Sequence, residues 1–400
     1  MTILANRLSN IKPSPTVAVT TKANQLKAEG KDVIGLGAGE PDFDTPKHIS
    51  EAGIQAIKDG KTRYAPPAGI NELKQAIVAK FKRDNDLTYK PEQISVGVGG
   101  KQTIYNLFCA TINEGDEVII PAPYWVSYPD IVLLYGGKPV FVNCGLESNF
   151  KITPKQLEES ITDKTKWLIL NSPSNPTGAG YTEEELKSLG EVLKKHPNVH
   201  IMTDDIYEFL VYDDFKFKTI AQVVPELFER TVTLNGVSKA YCMTGWRVGY
   251  AGGPVHIIKA MNMLNSQSTS SASTMSQWAA VEALNGDHSF IEKNNAVFVK
   301  RRNFVVEKLN EIDGIECPTP DGAFYVYPSI KGLIGKSTPS GNKINTDEDF
   351  ANYLLEAQGI AIVHGEAFGL SPYFRVSYAT SDDNLEKAME RIKKAVADLK

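Results

Sequence analysis

Between residues 94 and 253, short apolar runs alternate with segments whose apolar positions recur at helical spacing. The runs with the composition and length of strands are 94–100, 117–123, 139–144, 166–173, 199–205, 231–236 and 247–253. Segments 101–112 and 182–196 have the helical spacing, and Thr182 precedes Glu185 at the distance of a capping box. This alternation predicts an α/β fold with a mostly parallel central sheet flanked by helices. Because ligands of such sheets bind beyond the carboxyl ends of the strands, residues directly after strands are the candidates for function.

The pattern changes towards the C-terminus. Residues 298–312 have the apolar spacing of a helix, and residues 322–330 have the composition of a strand. Residues 335–343, rich in Gly, Ser and Lys, separate them from further helix and strand signals. These features predict a separate α+β unit at this end of the chain.

The N-terminal part is also set apart, because the Gly, Pro and Asp content of residues 35–46 predicts a long loop. We therefore predict a large domain over residues 46–290. The smaller domain is predicted to combine residues 1–45 with residues 291–400.

Composition and charge restrict the classes of partner. The 400 residues are 42% hydrophobic and 23% charged, which is typical of globular proteins. The formal charge of −5 and the lack of a long basic run argue against nucleic acid and membrane surfaces as partners. The first residues lack the apolar core of a signal peptide, and no apolar stretch reaches membrane-spanning length. The sequence thus predicts a soluble, cytoplasmic protein.

The cysteines argue against a metal site. They lie far apart and form no C-x-x-C pair, a spacing that fits reduced thiols and no zinc cluster. The residues concerned are Cys109, Cys144, Cys242 and Cys317.

Lys239 is the first candidate for chemistry, since it follows the predicted strand 231–236. A lysine facing a cleft at a strand end can lose hydration, which lowers its pKa and makes its amine a nucleophile that forms a Schiff base with a carbonyl. A lone lysine in such a loop is more often simply solvated, so the neighbouring motifs decide between the two interpretations.

Two acids end the predicted strand 199–205, and Tyr207 follows them. An acid at the end of a buried strand is costly unless a cation meets it, and the protonated pyridine nitrogen of pyridoxal phosphate would meet Asp204. A turn or N-cap aspartate is the alternative. Since side chains alternate along a strand, Asp205 is expected to face the opposite side and to have a structural role.

Two loops after predicted strands have weaker signals. Asn175 lies in an N-P-T-G sequence, which is also a common turn. Residues 96–102 run from a strand through glycines into a helix N-terminus, where free N–H groups favour a phosphate. The spacing is neither the dinucleotide fingerprint nor a Walker motif.

Two arginines and a tryptophan complete the candidates. Arg247 has a planar fork suited to a phosphate, and Arg375, which interrupts an apolar strand, could bind a carboxylate through two bonds. Each could instead form a weak surface ion pair. Trp125 follows a strand end and offers a flat face for an aromatic ring, with ordinary core packing as the alternative.

Together these segments resemble the class I aminotransferases, fold-type I enzymes that depend on pyridoxal 5′-phosphate, and most closely the bacterial members that act on aspartate. The resemblance covers residues 31–380. Its most specific motif is SKAYCMTGWR at residues 238–247. The supporting motifs, in chain order, are GEPD (39–42), YAPPAG (64–69), GGK (99–101), PYW (123–125), NSPSNPTG (171–178), DDIY (204–207) and FRVS (374–377).

The resemblance implies how the cofactor is held. Lys239 would bind pyridoxal phosphate covalently and, once released, move a proton between the substrate and the cofactor. Asp204 would pair with the pyridine nitrogen, while Tyr207 and Asn175 would bind the phenolic oxygen. The other implied contacts are Trp125 on the ring, Gly100, Lys101, Ser238 and Arg247 around the phosphate, and Tyr64 from the other subunit of a homodimer.

The resemblance also implies how an amino acid or 2-oxo acid is held. Arg375 would bind the α-carboxylate, with help from Asn175, Trp125 and the Gly39 backbone. The eukaryotic-type members bind the distal carboxylate with an arginine whose sequence context is absent here. Lys12 and Lys101 would take that role instead, as in the bacterial subgroup, and Thr16 lies nearby. Since a lysine is a less restrictive point charge, a bulkier dicarboxylate such as prephenate would be tolerated.

The expected reaction is reversible transfer of the amino group between L-aspartate and 2-oxoglutarate, giving oxaloacetate and L-glutamate. Prephenate, converted to arogenate, is expected as a second acceptor. The alternatives are an aromatic amino acid or alanine aminotransferase of the same fold, or a lyase or decarboxylase with the same cofactor. A non-enzymatic regulator is disfavoured because the required positions are occupied and no basic patch is present.

Overall fold

The computed structural model describes residues 3–400. Its α-helices are α1 Pro15–Ala28, α2 Lys47–Lys58, α3 Asn71–Asn85, α4 Gly99–Thr111, α5 Ser127–Leu134, α6 Pro154–Ser160, α7 Glu183–Lys195, α8 Ile220–Val223, α9 Val255–Gln267, α10 Thr274–Asn285, α11 Ser289–Asn310, α12 Asp347–Gln358 and α13 Asp382–Ala397. Its strands are β1 Ile34–Gly35, β2 Ile94–Gly97, β3 Glu117–Ala122, β4 Lys138–Asn143, β5 Thr165–Asn171, β6 His200–Asp204, β7 Thr231–Gly236, β8 Gly249–Gly252, β9 Tyr325–Val326, β10 Ile360–Ala361, β11 Val363–His364 and β12 Phe374–Ser377.

A seven-stranded sheet forms the centre of the molecule, in the order β2-β8-β7-β6-β5-β3-β4. Strands β4, β3, β5, β6 and β7 are parallel, whereas β8 is antiparallel to both β7 and β2. The mostly parallel sheet predicted from the apolar runs is thereby confirmed. The register aligns Asn171, Asp204 and Leu234, so β5, β6 and β7 end at one edge of the sheet.

The central strands form because their apolar runs are buried by helices on both faces. All six residues of β7 are buried, as expected of a strand covered on both sides. Helix α7 begins where predicted, because the Thr182 hydroxyl accepts a hydrogen bond from the Glu185 N–H and the Glu185 carboxylate accepts from the Thr182 N–H. Helix α4 begins at Gly99, two residues before the predicted start at 101, and Gly99 itself adopts a φ of 79° that few other residues tolerate.

The ends of the chain differ more from the prediction. The segment 322–330 contains only a two-residue strand, Tyr325–Val326. Helix α11 begins at Ser289 rather than near 298. The N-terminal region contains α1, which starts at Pro15. Proline suits the first helical turn because the N–H groups of that turn have no acceptor within the helix, so nothing is lost where proline lacks one. These elements are fixed by tertiary packing, which local composition does not report.

Two small sheets bring the chain ends together. Strand β1 pairs in parallel with β10, and β12 lies between β11 and β9 in an antiparallel sheet. These strands all lie outside residues 46–290, but the division into two domains stays a prediction.

Two kinds of feature are lacking in the described part of the chain. No helix of residues 3–400 is long and apolar enough to cross a membrane. In the same residues no group of three or more His, Cys, Asp or Glu is arranged to hold a metal ion.

Candidate active site

A cavity of about 440 Å³ opens at the sheet edge where β5, β6 and β7 end. It is also bordered by the loop that follows β1, by α1 and by the first turn of α4. The predicted site residues that line it are Gly39, Gly100, Lys101, Trp125, Asn175, Asp204, Tyr207, Ser238, Lys239, Arg247 and Arg375. The fold thus brings together residues that are up to several hundred positions apart in sequence.

Lys239 lies in the loop after β7 and points into this cavity. Its Nζ donates a hydrogen bond to the Gly39 carbonyl at 2.6 Å and lies 5.9 Å from the centre of the Tyr207 ring. Burial lowers the pKa of Lys239 to about 8, and the positive charges of Arg375 and Arg247 act in the same direction. A substantial fraction of the amine is therefore neutral and nucleophilic near physiological pH.

Asp204 is the last residue of β6, and only 9% of its surface is exposed. One carboxylate oxygen accepts a hydrogen bond from the Tyr128 hydroxyl at 2.7 Å, and the other accepts a long one, 3.4 Å, from the Ile206 N–H. Burial raises the pKa of Asp204, although these hydrogen bonds and the charge of Lys239 oppose the shift. A cationic N–H in the cavity would find an acceptor here.

Tyr207 is held by a residue that the sequence did not single out. Its hydroxyl shares a hydrogen bond of 2.9 Å with the hydroxyl of Tyr325, the first residue of β9. Burial raises the pKa of Tyr207 well above its usual value, so the side chain stays neutral and available as a donor.

Arg375 occupies β12 with 2% of its surface exposed. One Nη donates to the Asn175 side-chain oxygen at 2.7 Å and the other to the Gly37 carbonyl at 2.6 Å, while Nε has no partner. The guanidinium carbon lies 4.5 Å and 5.0 Å from the ring centres of Tyr325 and Phe368. Burial lowers the pKa of Arg375. A buried guanidinium bonded to neutral acceptors, with a free donor, is suited to bind a small carboxylate.

The opposite end of the cavity contains the start of α4 and two residues of the motif around Lys239. Gly100, Ser238 and Arg247 all line it. A Cβ on Gly99 would collide with the Arg247 guanidinium, and one on Gly249 would collide with the Gly100 backbone. Glycines at both positions allow a helix N-terminus and an arginine to converge, which is an arrangement that binds phosphate.

Lys101 and Trp125 form one wall of the cavity. The Lys101 Nζ lies 5.0 Å from the centre of the Trp125 ring, and both residues line the site. Burial lowers the pKa of Lys101, helped by the charge of Arg247 and opposed by that of Asp130.

Two predicted site residues lie outside this cavity. Lys12 is exposed, although Thr16 from the same segment lines the site. Tyr64 is 95% exposed, as expected of a residue whose proposed contact lies on another subunit. Their roles stay predictions.

The donors and acceptors fit pyridoxal phosphate. Asp204 offers a carboxylate to a ring N–H, Tyr207 a neutral hydroxyl to a phenolic oxygen, and Lys239 an amine to an aldehyde. The glycine-lined cradle beside Arg247 offers space and charge for the phosphate.

Comparison with known proteins extends this picture. Residues 31–392 match the family model described as aminotransferase class I and II. An aspartate/prephenate aminotransferase of Cereibacter sphaeroides is 59% identical over 399 residues, covering 100% of both chains. The crystal structure of an aspartate aminotransferase from Rhizobium meliloti matches with a TM-score of 0.97 at 51% identity, over 100% of both chains. That of a Thermus thermophilus aspartate aminotransferase with maleate matches with a TM-score of 0.92 at 43% identity, over 99% of this chain and 100% of the other.

Proposed function

The chain belongs to the aminotransferases of class I and II, and from this we propose that it transfers the amino group of L-aspartate to 2-oxoglutarate, giving oxaloacetate and L-glutamate. Relatives and structural neighbours named for aspartate, matched over the full length of the chain, support this choice of substrate. The proposal includes a cytoplasmic homodimer, in which Tyr64 reaches the phosphate site of the other subunit.

The observation that carries the proposal is that two basic side chains, Arg375 and Lys239, line the same cavity. Arg375 keeps a free donor and has no acidic partner among the ion pairs of residues 3–400. Lys239, whose pKa is lowered to about 8 by burial, lines the same cavity. An α-amino acid whose carboxylate is bound by Arg375 would present its amino group and Cα towards Lys239.

Pyridoxal phosphate, when bound, supplies an electron-accepting ring that stabilises the electron pair left on Cα when its proton departs. Lys239, as a neutral amine, would take this proton from Cα and deliver it to the C4′ carbon of the cofactor. Asp204 keeps the ring nitrogen protonated through an ionised carboxylate, and the Tyr128 hydroxyl keeps that carboxylate in place. Trp125, which lines the cavity, would cover one face of that ring and exclude water from it.

The distal carboxylate of the substrate is assigned to Lys101, with Lys12 as a further contact. Lys101 lies at the wall of the cavity, over Trp125, where its flexible ammonium can follow carboxylates at different distances. Tolerance of this kind supports prephenate as a second acceptor, in agreement with the name of the Cereibacter relative.

A half-reaction panel tests the proposal directly. Purified holoenzyme is mixed with aspartate, glutamate, phenylalanine or alanine, and its aminated form with oxaloacetate, 2-oxoglutarate or prephenate, while the cofactor absorbance is followed. We expect aspartate, glutamate and their oxo acids to react fastest and prephenate to be accepted. Faster reaction with phenylalanine or alanine would reject the dicarboxylate assignment, and release of ammonia or CO2 would reject transamination.

Lys101→Met serves as a matched variant in the same panel. The half-reaction with aspartate should become about 10-fold slower or more, because a charge-assisted contact is lost, while the rate with alanine should stay nearly unchanged. An equal loss for both substrates would place the role of Lys101 at the cofactor rather than at the distal carboxylate.

A further inference from the structure

Behind the candidate active site, four buried polar side chains form a hydrogen-bonded group, which we call the Lys80 network. Its members are Lys80, Asn85, Glu208 and Asn235, and each is at most 4% exposed. They come from α3, from the turn that follows β6 and from β7. The partly buried carboxylate of Asp84 borders this group, 3.8 Å from the Lys80 ammonium.

Every polar end of this network has a partner. The Lys80 ammonium forms an ion pair with one oxygen of Glu208 and donates to the Asn85 side-chain oxygen at 2.6 Å. The same Glu208 oxygen accepts from the Asn235 amide at 2.7 Å, and the other oxygen accepts from the Asn85 amide at 2.7 Å. The Phe209 ring centre lies 5.1 Å from the ammonium and excludes water. A buried ion pair of this kind is an inefficient source of stability, since both charges lose hydration, and its fixed geometry suits it to positioning.

The network lies where backbone hydrogen bonds no longer join two segments of the active site, the turn with Tyr207 after β6 and the loop with Lys239 after β7. The ladder between β6 and β7 ends at the pair Asp204 and Leu234, with one further bond from the Asp205 N–H to the Leu234 carbonyl at 3.0 Å. Beyond that point, no backbone hydrogen bond among residues 3–400 joins the turn with Tyr207 to the loop with Lys239, although the Ile206 side chain packs near Gly236. The bond from the Asn235 amide to Glu208 joins the two segments at this place.

We infer that the Lys80 network is a positioning device, which fixes the turn carrying Tyr207 relative to the loop carrying Lys239. Glu208 follows Tyr207 directly, and Asn235 lines the cavity four residues before Lys239. Loosening the link moves the Tyr207 hydroxyl away from the cofactor and rehydrates Lys239, and both changes favour the protonated form of the site. The inference rests on the proposed function, because it assigns the two turns to the cofactor.

The test compares two charge-neutral double variants of the holoenzyme. Lys80→Met with Glu208→Gln keeps an acceptor for Asn235, whereas Lys80→Met with Glu208→Met removes it. The midpoint of the pH titration of the cofactor absorbance is measured for each. We expect the Met/Met variant to have a midpoint about half a pH unit or more above that of the wild type, and the Met/Gln variant to stay close to the wild type.

A control pair lies at the opposite edge of the sheet. Glu117, the first residue of β3, is 5% exposed and accepts from Lys138 at 2.9 Å. Lys138→Met with Glu117→Met should lower the thermal midpoint and leave the absorbance midpoint unchanged. A similar absorbance shift in this control would show that general destabilisation, not positioning, moves the midpoint, and would overturn the inference.

A second variant decides the case if the Met/Met protein does not fold. Asn235→Ala removes the donor of the crossing bond and leaves the ion pair intact, and it should raise the midpoint in the same direction. If a folded variant that lacks this bond has an unchanged absorbance midpoint, the inference is overturned, while the proposed function is not affected. A wild-type protein whose absorbance does not respond to aspartate would instead reject the proposed function.

Discussion

At the scale of single residues, two adjacent aspartates show how surroundings separate chemistry from structure. Asp204 borders the cavity, where a ring N–H can meet it. Asp205 is 1% exposed, does not line the cavity, and accepts a hydrogen bond from the Thr203 hydroxyl at 2.5 Å, while its other oxygen has no partner. Burial raises the pKa of Asp205 to about 8, so the neutral acid is the form that the folded protein prefers.

This preference gives a signed pH dependence. Because the folded-state pKa lies above the unfolded one, the contribution of Asp205 to stability is full below about pH 4 and is lost as the pH rises towards 8. Asp205→Asn should remove this loss and raise the free energy of unfolding at pH 8, relative to pH 5, by about 3 to 4 kcal/mol. Urea unfolding of both proteins at the two pH values measures the difference. A variant equally less stable at both would show that Asp205 is already ionised at pH 5.

The free donor of Arg375 leads to a second prediction at this scale. Arg375→Lys keeps the charge but loses the planar fork that contacts Asn175 and Gly37. We expect kcat/KM to fall by about 100-fold or more for every amino acid, with cofactor absorbance and affinity retained. A loss confined to dicarboxylic substrates would mean that Arg375 binds the distal group instead.

Residues that perform chemistry were easier to predict than those that hold them. Asp204 and Arg375 stand out because a charge that ends or interrupts an apolar strand is costly and needs a reason, whereas Lys239 was singled out by the motifs around it. The hydroxyl partners Tyr128 and Tyr325 have no such signal, since a tyrosine in an apolar segment is ordinary core. Their pairing with Asp204 and Tyr207 arises only when distant segments meet.

At the scale of elements, the loop between β1 and α2 depends on an arginine from another element. Both oxygens of Asp42 accept hydrogen bonds from one Nη of Arg301, in α11, at 2.9 Å. The Arg301 Nε donates to Asp382, the first residue of α13, also at 2.9 Å. Arg301 therefore links this loop to α11 and α13. The same loop carries the Gly37 carbonyl, which accepts from Arg375, and the Gly39 carbonyl, which accepts from Lys239.

Weakening the bond between Asp42 and Arg301 should affect the binding of substrate more than the binding of the cofactor. Asp42→Asn, which weakens the charged pair with Arg301, is expected to raise KM for aspartate about 3- to 10-fold, with a smaller change in kcat and none in the absorbance midpoint. Steady-state kinetics and the absorbance titration check this. Asp382→Asn is the matched control, because it weakens the other bond of Arg301 and leaves the loop attached. A control with the same rise in KM would assign the effect to α11 as a whole.

Elements with local determinants follow the sequence closely. The start of α7 is set by Thr182 and Glu185 alone, and the β7 run 231–236 matches its observed bounds. The antiparallel direction of β8 and the two-residue strands outside the main sheet depend on pairing with distant segments. Their hydrogen bonds leave no periodic signal in the chain.

At the scale of the whole molecule, the net charge of −5 does not describe the site. Lys101, Lys239, Arg247 and Arg375 converge on one cavity, where they outnumber the two acids of its lining, Glu40 and Asp204. A locally positive cleft attracts small dianions even on an acidic protein.

Exposure of Tyr64 leads to a prediction about assembly. If Tyr64 completes the site of the other subunit, Tyr64→Ala and Lys239→Ala subunits complement each other, because a mixed dimer contains one site with both side chains. Random mixing should restore about a quarter of the wild-type sites, from two variants that are each nearly inactive. Mixing after unfolding and refolding, followed by the aspartate assay, measures this. No recovery, despite mixed dimers in native mass spectrometry, would place Tyr64 outside the partner's site.

The pairing of β1 with β10 also sets an order of events during synthesis. All strands of the seven-stranded sheet lie between Ile94 and Gly252, so that sheet can form before residues 360–361 of β10 have been translated. Ile34 must wait for Ile360, its partner in the small parallel sheet. The start of the loop after β1, where the Gly37 carbonyl accepts from Arg375, therefore lacks these partners until residues 360–375 have been translated, whereas the Gly39 carbonyl can meet Lys239 earlier. The Arg375 side of the active site is thus expected to form after the Lys239 side.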